Sequence, residues 1–210
     1  MTALLLKAFA AYLLGSVSGS LLLGKLRHVD IRTMGSGNAG GTNALRTQGF
    51  WFALGVVVVD VGKGALAAGW VPGWSVPGVV DSVSPEVTTL VCGFAAVFGH
   101  CFPVFHGFRG GKGAATAVGA LAVIQPWLIA FMLATWLVVV VATGYVGLST
   151  ILAALALIPA AAWLGGSTAL LAFTAVLGAF IVFTHRSNIA RLRAGRENRF
   201  ERIRIANWFR

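Results

Sequence analysis

Seven apolar runs, separated by polar segments, make up most of this sequence. A helix that spans a bilayer needs about 20 apolar residues, or roughly 17 at the short end. Because the runs are continuous rather than alternating, they disfavour a transmembrane β-barrel. The pattern predicts an all-α, polytopic integral membrane protein with seven transmembrane helices. The runs cover roughly residues 3–24, 50–71, 87–105, 113–124, 126–143, 146–164 and 167–184.

The amino-acid composition excludes a water-soluble fold. Of the 210 residues, 58% are hydrophobic and 10% are charged, whereas a soluble domain carries about 25% charged residues. The first run lacks the basic start of a signal peptide, so we expect it to be retained. No linker or internal repeat divides the sequence. We therefore expect a single membrane domain over residues 1–210, with a basic cytoplasmic tail over about 185–210.

The fourth run, residues 113–124, is too short to cross a bilayer in a straight line. Gly113 at its start and Pro126 just after its end predict a half-buried helix whose N-terminus points into the protein. Alternatively, the fourth and fifth runs form one long kinked helix, which would give six spans. The sequence favours seven.

The distribution of basic residues predicts the orientation. With seven spans, all basic segments fall on one side and the segment 72–86, which has no Lys or Arg, falls on the other. The positive-inside rule makes the basic side cytoplasmic. The basic residues are Lys25, Arg27, Arg32 and Arg46 after the first run, Arg109 and Lys112 before the fourth, and eight arginines after the seventh.

The net charge of +10 exceeds what cytoplasmic loops alone explain, and the remainder lies in three polar clusters. These clusters, residues 34–46, 99–113 and 185–192, each adjoin an apolar run. Glycine lets backbone N–H groups approach an anion closely, and Arg, Lys, Asn, Ser and Thr add further donors. A phosphate-bearing substrate beside lipid is therefore expected. Nucleic acid is excluded as a partner because no separate soluble basic domain exists to hold it.

Each cluster also has a simpler interpretation as a tight turn or as small-residue helix packing. The first carries more donors than a turn needs, namely Ser36, Asn38, Thr42, Asn43 and Arg46. In the second, Arg109 and Lys112 stand at the glycine-rich start of a predicted helix, where the helix dipole favours an anion. In the third, His185 and Asn188 would share one helix face.

Two familiar nucleotide-binding motifs are absent despite partial matches. Gly35, Gly37 and Gly40 fit the dinucleotide fingerprint by spacing, but that motif needs a soluble parallel sheet. The segment 110–113 is not a P-loop, because a glycine follows the lysine where Ser or Thr is required.

Several titratable residues lie inside the apolar runs. Asp60 and Lys63, three positions apart, predict an internal ion pair more simply than a transport relay. His100 is expected to be structural, as a buried donor to the backbone. No arrangement offers three metal ligands at usable spacing, so we expect no metal and no cofactor.

Three motifs in this order carry a resemblance to a known family. They are SGNAGGTNALR at 36–46, GHCFP at 99–103 with GGKGAAT at 110–116, and HRSNIARL at 185–192 followed by Gly195 and Glu197. The chain resembles the bacterial acyl-phosphate:glycerol-3-phosphate acyltransferases, the PlsY family. Gly41 stands where that family commonly has alanine, and Arg109 where lysine is common.

The resemblance implies seven transmembrane helices in the bacterial inner membrane and an active site on the cytoplasmic face. It implies transfer of a fatty acyl group from acyl phosphate to the 1-hydroxyl of glycerol 3-phosphate. The products would be lysophosphatidic acid and inorganic phosphate, in the first step of phospholipid synthesis. The His-x-x-x-x-Asp motif of other glycerolipid acyltransferases is absent here. A functional link to the enzyme that makes acyl phosphate is also expected.

Guided by this resemblance, we assign roles to the motif residues. The acyl-phosphate group would be held by Gly40, Gly41, Thr42, Asn43 and Lys112. Glycerol 3-phosphate would be held by Ser36, Arg46, His185, Asn188 and Glu197, and Glu197 could instead brace a cation. The residues expected to carry catalysis are Ser36, Arg46, Lys112, His185 and Asn188, with supporting roles for Asn38, Arg109, Gly110, Gly111 and Gly113. Either His185 or a substrate phosphate would accept the proton.

A transporter of an organic phosphate or another small anion is the alternative function. Glycine-interrupted segments and basic pockets occur in such proteins too. However, the clusters lie at the ends of the runs rather than at mid-membrane, and the chain shows no repeated halves.

Overall fold

The computed structural model describes residues 1–75 and 77–200, and this part of the chain is helical without β-strands. The predicted all-α class is therefore confirmed. Ten α-helices occur in the described residues: α1 Thr2–Gly15, α2 Gly19–Leu26, α3 Gly41–Gln48, α4 Phe50–Gly69, α5 Pro85–Cys101, α6 Ala114–Ile124, α7 Pro126–Thr143, α8 Val146–Trp163, α9 Thr168–Thr184 and α10 Arg186–Arg193.

Four helical segments of the described chain are individually long and apolar enough to cross a membrane: Phe50–Gly73, Pro85–His106, Pro126–Thr143 and Val146–Trp163. Two bent pairs raise the number to six if each pair is one span. The pair α1 and α2 bends by 42°, and the pair α9 and α10 by 57°. Length and composition thus give four to six spans, a coarser result than the seven predicted.

The fourth apolar run forms a separate short helix, as expected. Helix α6 has 11 residues, and Gln125 after it is extended, with φ −158° and ψ 90°. Pro126 favours this break because a residue that precedes proline avoids the α conformation. The fourth and fifth runs therefore form two helices rather than one continuous kinked helix, and the number of spans stays a prediction.

The chain divides into two compact units, Met1–Ile124 and Gln125–Arg210. In the first unit, α4 packs closely against α6 because each presents a glycine to the other's backbone. A Cβ at Gly64 would overlap the Thr116 carbonyl oxygen, and one at Gly119 would overlap the Val61 carbonyl oxygen. Small residues at helix contacts are typical of membrane proteins.

Beyond the C-terminus of α4, Met1 and Lys7 bond to residues of the segment 72–82, and we call this group of hydrogen bonds the clasp. The Lys7 ammonium, 2% exposed, donates to Asp81 Oδ2 and to the Pro72 carbonyl, both at 2.8 Å. The N-terminal ammonium of Met1 donates to Ser82 Oγ. These bonds fasten the segment after α4 to helix α1.

In the second unit, the chain after α10 returns to the turn between α7 and α8. The Phe200 N–H donates to the Gly144 carbonyl at 2.9 Å, and Arg199 Nε donates to the Thr143 carbonyl at 2.8 Å. The Arg199 guanidinium also lies 4.9 Å from the Tyr145 ring centroid. The basic tail predicted from about residue 185 thus begins with a helix and an anchored segment, and its continuation over 201–210 lies outside the described residues.

Candidate active site

A cavity of about 370 Å³ in the first unit gathers residues from the first two sequence clusters. We call it the glycine cavity. Its polar side comes from the chain before and at the start of α3 and α6, and its apolar side comes from α3 and α4. It is lined by Asn38, Gly40, Gly41, Thr42, Leu45, Phe50, Ala53, Leu54, Val57, Asp60, His100, Lys112, Gly113, Ala114 and Ala115.

The N-terminus of α3 faces this cavity. Gly40 is the N-cap, in an extended conformation, and no side chain caps the first turn of the helix. The first N–H groups of a helix have no partner within the helix, and the helix dipole places partial positive charge there. Gly40, Gly41 and Thr42 therefore present backbone donors to the cavity.

The N-terminus of α6 lines the same cavity. Gly113 has a φ of +89°, and its carbonyl accepts the first helical bond, from the Ala117 N–H at 2.8 Å. Lys112 comes directly before it and also lines the cavity. Two helix N-termini and the basic residue Lys112 thus line a single cavity, an arrangement that suits a phosphate group.

Asn43 shapes the first cluster from within. Its side chain is 1% exposed; Oδ1 accepts from the Ser36 N–H at 2.9 Å, and Nδ2 donates to the carbonyls of Ile31 and Met34. Because both amide hydrogens are used in the loop, the Asn43 side chain supports the loop rather than presenting donors to the cavity. The role of Asn43 at the acyl-phosphate group stays a prediction, in which its side chain orders the loop that carries the donors.

Gly110 and Gly111 let the second cluster lie directly on the end of α5. The Gly110 N–H donates to the Cys101 carbonyl at 3.2 Å, and the Gly111 N–H donates to the His100 carbonyl at 3.1 Å. A Cβ at Gly110 would overlap the His100 carbonyl oxygen, and one at Gly111 would overlap His100 Nε2. These glycines therefore serve close packing, while Lys112 after them reaches the cavity.

An arginine outside the predicted set links the loops of the first unit. Arg32 Nη1 donates to the carbonyls of His106 and Arg109 at 3.2 and 3.3 Å, and its other nitrogens bond the Asp30 carboxylate. The side-chain hydrogen bonds from Arg32 hold the pKa of Asp30 below its usual value, despite partial burial. Sequence reasoning used Arg32 only as an indicator of orientation.

Ser36, Arg46 and Arg109 are not among the described residues that line the glycine cavity. Arg46 is exposed and lies on α3 one helical turn after Thr42. Ser36 is half-buried, between Gly35 and Gly37, both of which have positive φ. Arg109 is exposed and has its carbonyl bonded by Arg32.

The other wall of the cavity is apolar and reaches the surface of the unit. Phe50 is 61% exposed, Leu45 42%, Leu54 41% and Val57 40%. These side chains provide a surface for a hydrocarbon chain beside the polar end of the cavity.

Asp60 and His100 also line the cavity, although sequence reasoning left them outside the site. The expected ion pair is present, with Lys63 Nζ 2.9 Å from Asp60 Oδ1. His100 is buried as expected, but its Nδ1 faces Lys63 Nζ at 2.9 Å rather than a backbone carbonyl. A carboxylate within an apolar helix was the signal that could have placed both residues at the site.

In the second unit, His185 ends α9 with its side chain 4% exposed. Its Nδ1 lies 2.8 Å from the Ile181 carbonyl oxygen. Because a carbonyl only accepts hydrogen bonds, Nδ1 carries a hydrogen, and a neutral His185 has its lone pair on Nε2. The fold thus orients the imidazole and selects its tautomer.

Asn188 and Glu197 form a buried pair in the same unit. Asn188 Nδ2 donates to Glu197 Oε1 at 2.6 Å, and Arg191 Nε donates to Glu197 Oε2 at 2.7 Å. Both carboxylate oxygens of Glu197 therefore accept hydrogen bonds from side chains of α10. Of the two predicted uses of Glu197, this geometry favours the bracing of a cation over the orientation of glycerol.

The described residues thus combine membrane-length apolar helices with a cavity that has helix N-termini on one side and an apolar wall on the other, as an integral membrane protein acting on a compound with an anionic and an apolar part would need. Residues 5–195 match the family model described as glycerol-3-phosphate acyltransferase. The chain belongs to the glycerol-3-phosphate acyltransferase family.

Relatives and solved structures agree with this assignment. The chain is 39% identical to the glycerol-3-phosphate acyltransferase of Chlorobium phaeobacteroides, and the match covers 90% of this chain and 93% of that one. It is also 39% identical to the glycerol-3-phosphate acyltransferase of Thermoanaerobacter pseudethanolicus, with 92% of this chain and 94% of that one covered. It is also similar to crystal structures of PlsY (YgiH), an integral membrane glycerol 3-phosphate acyltransferase. The glycerol 3-phosphate form gives a TM-score of 0.82 at 34% identity, covering 95% of this chain and 96% of that one; the lysophosphatidic acid form gives 0.81.

Proposed function

We propose that this protein transfers a fatty acyl group from acyl phosphate to the 1-hydroxyl of sn-glycerol 3-phosphate. The products are lysophosphatidic acid and inorganic phosphate, in the first step of phospholipid synthesis. The glycine cavity carries this proposal, because two helix N-termini and Lys112 lie beside an apolar wall in one pocket. The solved relative described in glycerol 3-phosphate and lysophosphatidic acid forms supports it.

The chemistry suits a site built from donors rather than from a nucleophile. Acyl phosphate is a mixed anhydride with a good leaving group, so no covalent enzyme intermediate is needed. The hydroxyl oxygen bonds to the acyl carbon, the bond from that carbon to the bridging oxygen breaks, and phosphate leaves with the electron pair. Positioning and electrostatic stabilisation can supply most of the acceleration.

The residue roles follow from the motifs and from the contacts above. Gly40, Gly41, Thr42 and Lys112 hold the acyl-phosphate group, and the Asn43 side chain supports their loop. In the first unit, Ser36 and Arg46 are assigned to the phosphate of glycerol 3-phosphate. In the second unit, His185 and Asn188 are the residues assigned to glycerol 3-phosphate, with Glu197 bracing Asn188 and Arg191. The acyl chain lies along Phe50, Leu54 and Val57. The hydroxyl proton passes to His185 Nε2 or to a substrate phosphate.

The proposed topology has seven spans in a bacterial inner membrane, within a single domain of residues 1–210. The bent pairs α1 with α2 and α9 with α10 each count as one span, and α6 is the seventh. The basic segments and the active site then lie on the cytoplasmic side, in accord with the positive-inside rule.

The test uses the purified, detergent-solubilised protein with acyl phosphate and glycerol 3-phosphate. We expect release of inorganic phosphate together with formation of lysophosphatidic acid, both dependent on glycerol 3-phosphate. Acyl-CoA and acyl carrier protein thioesters serve as donor controls and should give no product. A transporter would release no phosphate without a sealed membrane, and product from acyl-CoA would contradict the assigned donor.

A further inference from the structure

A buried charged cluster, two of whose residues line the glycine cavity, has no part in the chemistry proposed above. Asp60 and Lys63 on α4 and His100 on α5 are 1%, 4% and 2% exposed. Lys63 Nζ contacts Asp60 Oδ1 and His100 Nδ1, both at 2.9 Å. His100 Nδ1 also lies 3.4 Å from Asp60 Oδ1. The three side chains therefore form one connected unit.

The ammonium group of Lys63 is fully used within the protein. Besides Asp60 Oδ1 and His100 Nδ1, it contacts the Val17 carbonyl, to which it donates at 2.8 Å in the break between α1 and α2. Its three hydrogens therefore have three acceptors. Since His100 Nδ1 accepts from Lys63, a neutral His100 carries its hydrogen on Nε2. Lys63 thus joins three parts of the first unit rather than facing a substrate.

The cluster is poorly suited to stability alone. Replacing a buried ion pair by apolar residues of similar volume is often neutral or stabilising. In addition, among the residues that the structure describes, Asp60 Oδ2 is buried without a hydrogen-bond partner. A buried acceptor left unpaired is destabilising. Another role is needed to account for this arrangement.

The cluster contacts the segment that carries Lys112. The Gly111 N–H bonds the His100 carbonyl at 3.1 Å, and the imidazole leaves no room for a Cβ at Gly111. A shift of the His100 ring toward Gly111 would therefore displace the backbone directly before Lys112.

The cluster also reaches the start of α3. Asp60 Oδ1 accepts from the Gly19 N–H at 3.1 Å, and Ser20 Oγ next to it donates to the Ala39 carbonyl at 3.1 Å. Ala39 immediately precedes Gly40, the N-cap of α3. Both polar edges of the glycine cavity are thus connected to the same three side chains.

We propose that Asp60, Lys63 and His100 are positioning residues that hold the two glycine-rich edges of the cavity at the separation required to bind one phosphate group. The inference rests on the proposed function and adds residues that act through their neighbours. A misplacement of about 1 Å can lower a rate by about 100-fold, so a loss of this size is expected when the cluster is removed.

The test compares Lys63→Met, Asp60→Asn and the double variant Asp60→Leu/Lys63→Met with Lys7→Met. Lys7 is the matched control, since it is another buried lysine paired with an aspartate but lies in the clasp beyond the C-terminus of α4. Three quantities are measured in detergent: the unfolding temperature, kcat/KM for acyl phosphate, and the rise in unfolding temperature caused by inorganic phosphate.

We expect Lys63→Met to lower kcat/KM by about 100-fold and to reduce the stabilisation by phosphate. The double variant leaves no uncompensated charge on either residue, so it should recover unfolding temperature without recovering kcat/KM or phosphate binding. Lys7→Met should lower the unfolding temperature while keeping kcat/KM within about threefold.

If the double variant recovered kcat/KM and phosphate binding together with the unfolding temperature, the positioning role would be overturned and a purely structural role would remain. Wild-type kcat/KM in Lys63→Met or Asp60→Asn would overturn it as well. If the wild type transferred no acyl group but its stabilisation by phosphate required Lys63, the proposed function would fail and the positioning role would stand. If phosphate did not stabilise the wild type, the cavity would not be a phosphate site and the inference would fail.

Discussion

At the scale of single residues, the glycine cavity depends on few side chains. The starts of α3 and α6 bring backbone N–H groups to its polar edge, and Lys112 adds formal positive charge. Backbone donors are insensitive to most substitutions, whereas a single substitution removes the ammonium group. Lys112 is therefore the side chain whose loss tests the electrostatic mechanism most directly.

We expect Lys112→Met to lower kcat by about 100- to 1000-fold, the usual effect of removing one donor that stabilises developing charge. Methionine keeps most of the volume, so the unfolding temperature should stay close to that of the wild type. Phosphate release in detergent measures the rate, and Lys25→Met, at an exposed position on α2, is the control. Full activity in Lys112→Met would remove this lysine from the site.

Arg46→Ala should act mainly on the binding of glycerol 3-phosphate. We expect the KM for glycerol 3-phosphate to rise by about 10- to 100-fold, because one charge-assisted contact to phosphate contributes roughly 1.5–3 kcal/mol. The KM for acyl phosphate should change little. Initial-rate kinetics with each substrate varied in turn separate the two constants, with the exposed Arg193 replaced by Ala as control. An unchanged KM for glycerol 3-phosphate would contradict the assignment.

The sequence allowed the donor-rich segments to be identified but not the use of each donor. Asn43 and Thr42 are neighbours of similar polarity, yet only the Asn43 amide bonds back to Ile31 and Met34. That difference depends on the path of the loop 31–40, which no local pattern specifies. His100 was placed correctly in the interior, but its contacts with Asp60 and Lys63 required α4 and α5 to be adjacent.

At the scale of helices, close contact between α4 and α6 holds the cavity together. Both helices contribute lining residues, and their backbones approach because Gly64 and Gly119 have no side chains. The apolar runs predicted both helices and the short length of α6. They could not predict this pairing, because glycines that pack and glycines that do not pack look alike in sequence.

Gly64→Ala should destabilise the protein, since its Cβ would overlap the Thr116 carbonyl oxygen. Overpacking of this kind typically costs about 1–3 kcal/mol, which would appear as a lower unfolding temperature in detergent. Gly62→Ala is the matched control on the same helix, because no atom lies within 4 Å of its Cβ position. Similar unfolding temperatures for the two variants would contradict close packing of α4 on α6.

At the scale of the whole molecule, the number of spans determines on which side of the membrane each cluster lies. Seven spans place all three clusters on one side, whereas six would separate the third cluster from the first two. The apolar runs predicted the helical membrane class, but an 11-residue helix such as α6 does not reveal from sequence whether it completes a crossing. The topology proposal therefore needs its own measurement.

We expect Val80→Cys to react with a membrane-impermeant maleimide in intact cells, and Arg109→Cys and Arg193→Cys to react only after permeabilisation. All three positions are exposed, while the native Cys92 and Cys101 are buried and should give little background. Reaction of Arg193→Cys from the outside, with Arg109→Cys still protected, would indicate six spans and contradict the proposed topology.

The exposed apolar wall formed by Phe50, Leu54 and Val57 has a consequence for how the enzyme meets its donor. An amphiphile can slide sideways out of the leaflet into such an opening without its tail passing through water. The encounter then takes place in two dimensions, and turnover follows the mole fraction of donor among the surrounding lipids. Diluting the donor with inert lipid would slow the enzyme even when the total amount in the sample is unchanged.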